Sequence, residues 1–108
     1  MNGCSSNEYY QTVVEMVNMM GIEGTDNYLK QELIDISKNV TYIREKLPTI
    51  QSTYEKETSS NASMHLRYKI ENMIALLNNL LKKLEIVDKR YICLQKYVRR
   101  NKREEKYI

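Results

Sequence analysis

The sequence predicts an all-α, elongated coiled-coil protein, built as a short N-terminal helix followed by a helical hairpin. Three observations predict it. Two long apolar seams advance by alternating four- and three-residue steps, the signature of heptad packing. Helix breakers are scarce, with three Gly and one Pro in 108 residues. One small polar stretch separates the seams, where the chain can reverse direction.

The first element lies in "SSNEYYQTVVEMVNMMGIEG". Ser5 and Glu8 have capping-box spacing, which satisfies free amides at a helix start. Tyr10, Val13, Val14, Val17 and Met20 follow at helical spacing, and Gly21 and Gly24 suit a stop. After "GTDN", read as a capping stretch, the first seam begins. It comprises Leu29, Leu33, Ile36, Val40, Ile43, Leu47, Ile50 and Tyr54, without a polar residue among them. Pro48 removes an amide donor and crowds the carbonyl of Arg44. The apolar phase survives it, so a kink is expected rather than a stop. "ETSSNASM" then breaks the phase, which places a loop near residues 57–65.

The second seam is longer: Leu66, Ile70, Met73, Leu77, Leu80, Leu84, Val87, Tyr91, Leu94 and Val98. Ile74, Leu76 and Leu81 flank it, and Ile86, Ile92 and Cys93 lie off its line. The domain reading is a short acidic helix and linker over 1–24, then a coiled-coil hairpin over 25–108 ending in a basic tail, 96–108. A hairpin pairing these seams leaves the flanks of the second wet. At about 25 cal/mol per Å² of apolar surface, association recovers some kilocalories by covering them. The first seam is therefore assigned to the hairpin and the second to partner helices. The alternative is a self-contained three-helix bundle in which the second seam is merely core.

Charge is graded along the chain. Residues 1–27 hold four acids and no Lys or Arg, whereas 66–108 hold twelve basic residues against five acids. In the tail, Lys96, Arg99, Arg100, Lys102 and Arg103 form a candidate anion-binding patch. The bland reading is a solvated helix end whose cations complement the dipole. With no zinc finger or aromatic stacking motif, nucleic acid is not an expected partner.

Cys4 and Cys93 make no disulfide framework, and "MNGCSSNEYY" lacks the features of a secretory leader. Reduced thiols and a cytoplasmic location are the expectation, which makes the glycosylation triplets at Asn39 and Asn61 chance matches. His65, the lone histidine, has no patterned partner for acid–base work, and no metal-ligand spacing or phosphate loop is present. No catalysis and no cofactor are expected.

"EYYQTVVEMVN" ahead of "LRYKIENMIALLNNLLKKLEIVDKRYICLQKYV" resembles the small fungal Bli-type subunits of the biogenesis of lysosome-related organelles complex 1. That resemblance implies a cytosolic, endosome-associated subunit in cargo sorting, packed with other coiled-coil subunits and reaching membranes only through them. "LKQELIDISKNVTYIREKL" with "LLKKLEIVDK" is similar to the first two helices of BAG cochaperone domains, which bind a chaperone's nucleotide-binding domain. That family starts a further helix where this heptad pattern runs on to Val98, so it ranks second.

Overall fold

A computed structural model describes residues 7–106, with side chains described for residues 8–101. Two helices account for nearly all of it, α1 (Asn7–Lys56) and α2 (Ser60–Lys106), and the fold is an all-α helical hairpin.

One residue breaks α1. Gly21 adopts φ 78° and ψ 171°, a backbone region essentially restricted to glycine. Residues 7–20 and 22–56 are thus separate helical stretches, which agrees with the stop expected at Gly21. The chain re-enters helix at once, however. "GTDN" lies inside the second stretch instead of capping it, and Gly24 is helical. Thr25 supplies the reason. Its side chain is fully buried, and its hydroxyl donates 2.7 Å to the Gly21 carbonyl, satisfying an acceptor at the break from within the following turn.

Pro48 does not end the helix. The backbone there stays helical, and what the helix loses is the hydrogen bond that the Arg44 carbonyl would accept from an amide at position 48. The turn is also shorter than expected, spanning 57–59 instead of reaching 65. Ser59 acts as an N-cap: its hydroxyl accepts from the Ala62 amide at 3.5 Å and its carbonyl from the Ser63 amide at 2.9 Å. Glu57 steadies the approach by accepting the Ser59 amide at 2.9 Å. Asn61, Met64 and His65 therefore belong to the first turns of α2, and all three are exposed.

The described residues form two compact units, one from residues 7–34 and 84–106, the other Asp35–Lys83. Both helices contribute to both. In the Asp35–Lys83 unit the seams meet: Ile36, Val40, Ile43 and Leu80 are buried, while Leu47, Ile50, Tyr54, Leu66, Ile70, Met73 and Leu77 are half-buried. Pairing is antiparallel, since Asn39–Ile43 share a groove with residues 69–80 and Gln51–Glu55 share one with residues 67–71.

In the other unit Leu29, Val87 and Leu94 are buried, with Leu33, Leu84, Tyr91 and Val98 half-buried. Here a second face of α2 is covered too. Lys89, Cys93, Tyr97 and Arg100 follow one another at steps of four, four and three, about a third of a turn round from the seam. The arm 7–20 lies on that face. Tyr9 stacks under the Lys89 ammonium at 5.5 Å, and Tyr10 meets the Tyr97 ring at 6.3 Å and the Arg100 guanidinium at 5.3 Å. Val13 of the arm and Cys93 are both fully buried.

All ten positions assigned to partner helices are thus buried or half-buried in the chain's own packing. Once α1 lies along α2, the seam is internal, and the free apolar surface is displaced to its flanks.

Gly21→Ala should cost about 1–3 kcal/mol, because no atom stands within 4 Å of the added carbon and the penalty is purely conformational. Thermal unfolding followed by circular dichroism measures it, and an unchanged midpoint would contradict the break.

Candidate partner-binding surface

With the seams consumed, the candidate site is what they leave uncovered. On α2, beyond Met64 and Tyr68 near its start, this is Ile74 (39 % exposed), Leu76 (51 %), Leu81 (37 %) and Ile86 (36 %). The first three fall in "NMIALLNNLL", residues 72–81, a run with no charged side chain on any face. Apolar side chains on both flanks of a seam give the helix a wider apolar face than one partner helix covers. Here Ile74 and Leu81, seven residues apart, line one flank of the seam, and Leu76 lies on the other.

The Leu76 flank is concave. A groove of about 430 Å³ runs between the helices of the Asp35–Lys83 unit, bordered by Asn39, Tyr42, Ile43, Lys69, Met73, Leu76 and Leu80. Ile43 and Leu80 are core residues, so the floor is rigid. Tyr42, which the seam pattern does not include, stands 59 % exposed at the α1 rim, its ring 5.9 Å from the Lys46 ammonium. An isolated off-seam aromatic was the available signal for it. Its place opposite Leu76 depends on interhelical register.

The other unit has a hollow of about 590 Å³ beside the break, lined by Ile22, Glu23, Asp26, Leu94, Val98 and Arg99 among others. Asp26 is held below the ordinary carboxylate range, chiefly by a hydrogen bond from Lys30 at 2.8 Å. Partial burial opposes this, and the Tyr91 hydroxyl assists it. The candidate anion patch is partly engaged within the chain: Arg99 borders this hollow and Arg100 donates to the Tyr10 hydroxyl at 3.4 Å. Lys96 is half-buried, while the side chains of Lys102 and Arg103 lie outside those described.

Cys93 corrects the expectation of reduced thiols. It is disulfide-bonded. The spacing of the cysteines in the sequence gave no hint of it.

Among the described residues no helix is long and apolar enough to cross a membrane, and no cluster of three or more His, Cys, Asp or Glu is placed to hold a metal. The geometry defines a class: a paired-helix, all-α protein with two covered seams and exposed neutral flanks. No protein-family model, curated protein or solved structure matches the chain.

Two outcomes follow from these contacts. In denaturant, Cys93 should resist alkylation until a reductant is added, as peptide mass mapping would show. Asp26 has a lowered folded-state pKa, so its contribution is complete above the ordinary value of 3.8 and disappears as pH falls through the lower folded value. Asp26→Asn should therefore lower the melting temperature at neutral pH, with the difference closing in acid.

Proposed function

We propose that this chain is a non-catalytic subunit of a hetero-oligomeric helical assembly. One observation carries the reading: the uncharged run 72–81 keeps large apolar side chains exposed on both flanks after the chain's own seams are paired. Leaving such a run in water forgoes the stabilisation that enclosure by another helix provides. Charge on those flanks would have kept the hairpin soluble at no cost to its core.

The role in endosomal cargo sorting derives from the resemblance to Bli-type subunits alone. On compartment, the Cys93 disulfide favours a second reading: the same assembly role in oxidising surroundings, since cytosolic thiols are ordinarily kept reduced. The exposed triplet asparagine Asn61, away from the groove, would then be accessible to glycosylation, which gives a simple check on compartment through a glycosidase-sensitive mass shift.

Affinity purification of the chain from native extract should recover helical partners in fixed stoichiometry. Combined Ile74→Glu, Leu76→Glu and Leu81→Glu changes should release them while helicity is retained. Leu80→Ala, by contrast, opens a cavity in the core and should cost about 2–5 kcal/mol of stability. A wild-type chain recovered alone, as a sharply melting monomer, would overturn the proposal.

A further inference from the structure

Resting on that reading, we infer that the groove between α1 and α2 in the Asp35–Lys83 unit takes an amphipathic helix of a partner protein whose apolar stripe is flanked by acidic residues. The groove supplies the apolar half of the recognition. Its floor is core, its rims are Tyr42 and Leu76, and it runs along a pair of antiparallel helices, where a third helix packs by inserting side chains at successive turns.

Charge supplies the other half. Lys69 and Lys83 stand seven residues before and after Leu76, so a cation lies two turns away on either side of the exposed leucine. Lys46 stands one turn beyond Tyr42 on the opposite rim. None of these three lysines makes an ion pair among the described residues, the pairs found being Lys30–Asp26, Arg67–Glu71 and Lys89–Glu85. The neutral run 72–81 carries asparagines at 72, 78 and 79, and Glu71 just before it is paired with Arg67. Lys69 is the charged side chain that lines the groove, and an apolar trough with a lysine at its edge is complementary to leucines bordered by carboxylates.

The same charges disfavour a second copy. Two such faces packed on each other would bring Lys69 of both copies into one apolar interface, where like charges repel. This chain's own acidic helix, 7–20, is already committed, with Val13 buried and Tyr10 held against Tyr97 and Arg100.

The test uses the full-length, unreduced chain and three fluorescent helical peptides. One carries Leu at heptad core positions with Glu beside them. The second replaces those Glu by Lys, and the third replaces the Leu of the first by Ser. Fluorescence anisotropy should show the Leu/Glu peptide binding about tenfold or more tightly than either control at low salt, with the advantage shrinking as salt rises. Leu76→Ser should weaken that binding about tenfold, and Lys69→Glu with Lys83→Glu should transfer the preference to the Lys-flanked peptide. Circular dichroism checks that each variant keeps its helicity.

Equal binding of the Glu and Lys peptides overturns the inference, as does indifference to Leu76→Ser. So does self-association of the chain that buries Tyr42 and Leu76, or competition for the groove by RNA. If native partners stay bound to the Leu76→Ser and lysine variants yet leave on Ile74→Glu with Leu81→Glu, the groove assignment falls while the assembly role stands.

Discussion

The pairing of two heptad seams is the interaction on which the rest depends. Neither helix has a reason to persist alone in water, since isolated helices gain little beyond marginal propagation and most helical stability comes from a buried face. Ile36, Val40 and Ile43 on α1 and Leu80, Val87 and Leu94 on α2 supply that face and are buried. The core they make contains no Phe or Trp, so it is thin, and its stability rests on length of contact more than on bulk. Short interruptions are correspondingly well tolerated where the apolar phase is kept, as at Pro48.

Gly21 adds what two helices could not. By stepping through a conformation that side chains resist, it releases the first helical stretch from the line of the second. The arm then covers the face of α2 marked by Lys89, Cys93, Tyr97 and Arg100. The contacts there are a mixture of aromatic, cationic and sulfur groups, and only Val13 and Cys93 are fully buried. The charge gradient of the chain has a structural counterpart in this unit. The arm meets the basic end through Tyr9 at Lys89 and Tyr10 at Arg100.

The Asp35–Lys83 unit receives no comparable cover among the described residues. Its neutral run keeps Ile74, Leu76 and Leu81 in contact with water. Single exposed apolar residues are unremarkable on any protein, but a charge-free helical band beside a groove is less easily dismissed. The groove there has Ile43 and Leu80 of the core as its floor and Lys69 at its edge.

Local periodicity let the sequence by itself determine the helical class, both seams, the break at Gly21, the position of the reversal near residue 57 and the flanking surplus at Ile74, Leu76 and Leu81. Each of those is a property of residues within a few turns of one another, where helical geometry alone decides which side chains share a face. Tertiary structure decided which face each helix gives to the other. It turned the ten-residue second seam inward, set Tyr42 across from Leu76, and brought the arm onto Cys93, whose disulfide neither local segment announces. The division has one physical cause: side-chain spacing fixes an angle around a helix axis, whereas the neighbour standing at that angle is chosen by the packing of the whole chain.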